Sequence, residues 1–149
     1  MKTSSPTNPN ILLVDDNKDG LLVRRSLLEE LGYRVQIAGN GEEGLKLFEG
    51  SMPDVVVTDF RMPRMDGVEM IRRIRTLNPN ARVILLSGFI EPLGLTEENT
   101  GADAVIPKSS NEPAHLARWV KRLLNRGTQR KPPLLQRAGA AAGMRRAPR

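Results

Sequence analysis

Val55-Val56-Val57-Thr58-Asp59-Phe60-Arg61-Met62-Pro63-Arg64-Met65-Asp66-Gly67 opens as a β-branched apolar run and closes on a carboxylate. Three successive valines with no polar alternation predict a strand buried on both faces. Pro63 and Gly67 shape a loop after it, and Met62 and Met65 are expected to pack rather than to bind anything. Two other runs have the same form: Ile11 to Val14, ended by Asp15 and Asp16, and Val83 to Leu86, ended by Ser87. Tyr33 to Ala38 alternates instead, with Gln36 between Val35 and Ile37, and Ala104 to Ile106 is short and bounded by Pro107. Both read as edge strands.

Helical patterns separate these runs. Residues 18–31 carry Leu21, Leu28 and Leu31 on one stripe, with Gly32 as a stop. Residues 41–49 and 67–76 form a second and a third, the latter with Val68, Ile71 and Ile74. In the last, Leu116, Trp119, Val120, Leu123 and Leu124 follow i, i+3, i+4, i+7, i+8, and Ser109 with Glu112 suggests a capping box at its start. Glu91 to Gly101 should supply a fourth helix, but Pro92, Gly94 and two threonines predict a short, displaced or mobile one. Five strands alternating with helices imply an α/β domain with a five-stranded parallel sheet joined by right-handed crossovers.

The 149 residues suit one domain with one core. There is no cysteine, which excludes disulfides, thiolate metal sites and a cysteine nucleophile, and suits a reducing cytoplasm. His115 is the lone histidine and is expected on the surface, so any metal chemistry must use oxygen ligands, as Mg²⁺ or Ca²⁺ does. No apolar run is long enough to span a membrane. The net charge of +6 equals the six basic residues of the C-terminal stretch, Arg130, Lys131, Arg137, Arg145, Arg146 and Arg149, which has no acid. Residues 1–9 therefore read as a flexible N-terminus, 10–126 as a neutral folded domain, and 127–149 as a disordered basic tail, with a short helical stretch at Leu134 to Ala142. The tail lacks interleaved aromatics and a helix-turn-helix, so nucleic acid is an unlikely partner beyond weak electrostatic contact.

Parallel α/β sheets bind ligands at the carboxyl ends of their strands. The residues that close the runs are Asp15 and Asp16, Asp59, Ser87 and, after the fifth, Lys108. Three carboxylates at one rim repel each other unless a cation holds them ionised, and Mg²⁺ meets that need while leaving room for phosphate oxygens. A carboxylate facing a lysine and a hydroxyl can capture a phosphoryl group as an acyl phosphate.

This set, with the D-x-x-M-P-x-M-D-G stretch of residues 59–67, Val14-Asp15-Asp16, Leu86-Ser87-Gly88 and Gly101-Ala102-Asp103, resembles the receiver domains of bacterial two-component response regulators over residues 10–126. The resemblance implies a flavodoxin-like doubly wound sheet of order 2-1-3-4-5 with helices on both faces. It implies that Asp59 accepts phosphate from a histidine kinase or phosphotransfer protein in a Mg²⁺-dependent reaction, and that Asp15, Asp16, Asp59 and the backbone carbonyl of Arg61 hold the ion. It further implies that Ser87 and Lys108 sense the phosphate and that Arg61 and Phe89 tune its lifetime. The implied partners downstream are a target protein or a second receiver. The implied chemistry is self-catalysed acceptance with slow autodephosphorylation rather than enzymatic turnover.

Two positions depart from the family pattern. Ser109 follows Lys108 where relatives carry proline, so a trans Lys108–Ser109 bond is predicted, the cis form before a non-proline costing about 3–4 kcal/mol. Val105 stands where relatives carry an aromatic rotor. These departures leave a second reading, an interaction module on the same fold that works without phosphorylation. A haloacid-dehalogenase-type hydrolase needs a second aspartate two residues after the nucleophile, where this chain has Arg61. An aspartate pair after a strand is otherwise a common helix cap.

Overall fold

In the computed structural model, residues 8–88 and 94–126 are described. Phe89, residues 91–93 of the fourth-helix segment and the basic tail lie outside the described residues. Five strands, β1 (Asn10–Val14), β2 (Arg34–Ala38), β3 (Val55–Asp59), β4 (Val83–Ser87) and β5 (Ala104–Pro107), form one sheet in the order β2-β1-β3-β4-β5. Every pairing is parallel. The three apolar runs are the central strands, buried along their whole length, and the two shorter or alternating ones are the edges.

Helices α1 (Lys18–Glu30), α2 (Gly41–Ser51), α3 (Gly67–Leu77) and α4 (Glu97–Thr100) lie in the crossovers, and α5 (Glu112–Asn125) follows β5. Because strand side chains alternate, one set of residues (Leu12, Val14, Val56, Leu85) packs against Phe48, Met70, Ile71 and Ile74 of α2 and α3. The other set (Ile11, Leu13, Val57, Ile84, Leu86) packs against Leu21 and Leu28 of α1 and Leu116, Val120 and Leu123 of α5. Met62 and Met65 are buried in the first layer, as their apolar character predicts.

The helix starts are set by short polar side chains. Asn17, Asn40 and Asp66 cap α1, α2 and α3 by accepting the N–H of Gly20, Glu43 and Glu69. The Asp15-Asp16 pair is therefore not a cap. Helix α4 is a single turn, as its composition predicts; Thr96 and Asn99 form its capping box, and Glu97 accepts the N–H of Val105 on the open side of β5.

Three details differ from expectation. Leu31 lies past the end of α1 and is half exposed, because the chain turns at Gly32 (φ 99°) before another helical turn can bury it. The Ser109–Glu112 capping box does not form; α5 begins without a side-chain cap, and the Glu112 carboxylate is committed to Arg24 of α1. His115 is half-buried. No peptide bond among the described residues is cis, so Lys108–Ser109 is trans as predicted.

Candidate functional site

The parallel register brings the strand ends together. Val14 of β1 pairs with Thr58 of β3, Asp59 with Leu86 of β4, and Ser87 with Pro107 of β5, so the residues just after each strand share one rim. Asp15, Asp16 and Asp59 each present a carboxylate oxygen within 4.8 Å of the others. Asp15 and Asp59 are buried, whereas Asp16 is exposed and opens the cluster to water. On the far side, the Lys108 ammonium lies 2.5 Å from Asp59 Oδ1. The Lys108 N–H donates to the Ser87 carbonyl at 2.7 Å, which fixes the lysine beside β4, and Ser87 is itself buried. All five side chains selected from the sequence are thus at this rim. Arg61 follows in the β3–α3 loop with its side chain exposed.

That loop is held close by Gly67. Its N–H donates to the Phe60 carbonyl at 2.8 Å, and a Cβ at this position would stand 2.4 Å from the Asp59 carbonyl oxygen and 2.7 Å from a Leu85 methyl. Only glycine allows α3 to start this near the end of β3.

Burial pushes the Asp59 carboxyl above the ordinary aspartate range; hydrogen bonding to Lys108 pulls it back, and the charge of Asp15 pushes it up again. Lys108 and the nearby Arg24 largely offset the charge of Asp15 but not the burial, so an ionised Asp59 stays disfavoured. Three oxygen ligands of this kind, with unbalanced negative charge and an exposed side for water, fit a hard divalent cation such as Mg²⁺.

Two members of the site escaped the sequence reading. Arg24 donates to Asp15 at 2.8 Å and, through Nε and Nη2, to both oxygens of Glu112. Burial alone lowers the Arg24 pKa, but Glu112 and then Asp15 outweigh it, so the guanidinium is held above its usual value. A signal was present in the sequence: Arg24 interrupts the apolar stripe between Leu21 and Leu28.

Comparison with known proteins agrees with this fold. The family model described as "Response regulator receiver domain" matches residues 11–120. The response regulator MprA of Mycolicibacterium vanbaalenii is 37% identical over 125 residues, covering 79% of this chain and 51% of that protein. The chain thus spans about half the length of that relative, and a smaller share of others it matches. A response regulator receiver domain protein from Clostridium thermocellum superposes with a TM-score of 0.73 at 30% identity, covering 79% of this chain and 95% of that one. The response regulator TrrA from Thermotoga maritima, solved in complex with Mg²⁺-BeF, gives 0.70 at 34% identity, covering 77% and 98%. In fold, strand order and sequence, then, the chain belongs to the response regulator receiver domains, the phosphoaccepting switches of two-component signalling.

Proposed function

We propose that Asp59 is the phosphoacceptor and that a histidine kinase or phosphotransfer protein is the donor. The observation that carries this reading is the position of Asp59, buried between the Asp15–Asp16 pair and the Lys108 ammonium. An ionised Asp59 oxygen attacks the phosphorus; the new O–P bond forms as the P–N bond to the donor imidazole breaks, with the electron pair leaving on nitrogen. Lys108 moves its charge from the carboxylate to an equatorial phosphoryl oxygen, and the Ser87 hydroxyl donates to another. Asp15, Asp16 and Asp59, with the Arg61 carbonyl, would hold Mg²⁺, which when bound neutralises charge on the phosphoryl oxygens and on the acids. Water later attacks the acyl phosphate and returns the carboxylate, slowly and without turnover of any other substrate.

Phosphorylation then shifts an equilibrium between two arrangements of the rim, and the altered face binds a downstream protein or a second receiver. The test is labelling with a small phosphoryl donor, with and without Mg²⁺, in the wild type and Asp59→Asn. Label is expected only in the wild type with Mg²⁺. Equal label in both proteins would defeat the assignment.

A further inference from the structure

Arg24 lies on the inward face of α1, with a side chain only 12% exposed. Its Nη1 donates to Asp15 Oδ2 at 2.8 Å, while Nε and Nη2 donate to Glu112 at 2.8 and 3.1 Å. Glu112 opens α5 and is itself buried. Space for the guanidinium is provided by Gly20, where a Cβ would meet Arg24 Nη1 at 3.0 Å and Asp15 Oδ2 at 3.4 Å. The other oxygen of Asp15 accepts the Asn17 N–H at 2.9 Å. Asp15 therefore enters the acidic cluster with one oxygen already bound to a fixed positive charge, and that charge is anchored on a different helix.

A buried ion pair is a costly way to join two helices, since apolar residues of similar size would avoid its desolvation. Its charge, however, acts on the neighbouring site in a way that packing does not. A guanidinium on Asp15 competes with any divalent ion for the same carboxylate and repels it, and Glu112 returns part of that loss. We infer that the Arg24–Glu112 pair sets the divalent-cation affinity of the Asp15–Asp16–Asp59 cluster, with Arg24 holding it down and Glu112 limiting how far. This rests on the reading of that cluster as the Mg²⁺ site. By linkage, cation binding loosens the hold of Arg24 on Asp15 by the same factor, so occupancy is felt at the α1–α5 contact.

The experiment is calorimetric titration of the whole chain with Mg²⁺, for the wild type, the double variant Arg24→Leu/Glu112→Leu, and Glu112→Gln. The double variant is expected to bind on the order of tenfold more tightly, because the opposing charge is gone and its compensator lies farther from the ion. Glu112→Gln is expected to bind several-fold more weakly, since it leaves the Arg24 charge uncompensated. A purely structural role moves both variants the same way. If the double variant does not fold, Arg24→Gln carries the same expected tightening. Affinity unchanged within about twofold, or both variants shifted in one direction, overturns the inference while leaving the metal site standing. A wild type with no saturable Mg²⁺ binding overturns the metal site itself, and the inference with it.

Discussion

Replacing Asp59 by Asn should stabilise the metal-free protein. The carboxylate is buried and has Asp15 within 4.8 Å, worth roughly 3 kcal/mol of repulsion at an effective dielectric of about 20, while the exposed Asp16 is screened by water and adds less. Lys108 at 2.5 Å returns roughly 6 kcal/mol on the same scale, but about a third of its side chain is in water, which cuts that gain. Repulsion and attraction nearly cancel, and the desolvation of a buried carboxylate remains. The direction agrees with the raised Asp59 pKa, in which burial is the largest cause. A neutral amide of the same shape removes that cost, so a gain of about 1–2 kcal/mol, or roughly 3–10 °C in Tm, is expected.

The sign of the pH dependence follows. With its folded pKa above the unfolded value, the native state holds more protons between the two, and stability falls as pH rises through that window. The advantage of Asp59→Asn should therefore be full above the folded pKa and vanish below the ordinary aspartate value near 4. Thermal melts of both proteins in chelator, from acid to neutral pH, measure this. Adding Mg²⁺ at about ten times its Kd should then raise the wild type by about 1.4 kcal/mol and the variant far less. An Asn variant that is less stable in chelator at neutral pH, or a difference independent of both pH and Mg²⁺, would refute the electrostatic reasoning.

Three further perturbations are expected to read out separate parts of the structure. On the proposed role of Lys108, Lys108→Ala should slow labelling by a small phosphoryl donor by about 10²-fold, with little change in the far-UV spectrum, because it removes the ammonium beside Asp59. Gly67→Ala forces a methyl to within 2.4 Å of the Asp59 carbonyl oxygen and should cost about 2–4 kcal/mol in urea unfolding, with α3 moved away from Asp59. Arg75 donates to the carbonyls of Pro79, Ala81 and Gly101 and to Asp103, tying the end of α3 to the segments that lead into β4 and β5. Arg75→Met should lower the urea midpoint by an amount equivalent to about 2–3 kcal/mol.

The sequence by itself determined the strand count, which strands are central, and which side chains meet at the rim. Those properties are local: the all-valine run before Asp59 and the leucine-rich run before Ser87 can be buried only on both faces, and a parallel sheet then collects whatever closes each run. The short α4 was legible for the same reason, since Pro92, Gly94 and the threonines act within a few residues.

Tertiary structure decided the rest. Ser109 and Glu112 have the spacing of a cap, but Glu112 faces Arg24, 88 residues away, and a bidentate ion pair with a buried guanidinium outweighs one exposed hydrogen bond. The role of Gly67 was likewise hidden, because what forbids a Cβ there is the carbonyl of Asp59 and a methyl of Leu85 on the next strand. Spacing along the chain records which residues can share a face; only the folded chain fixes which distant charge or backbone atom occupies the space opposite, and in a close-packed interior that neighbour sets the energy.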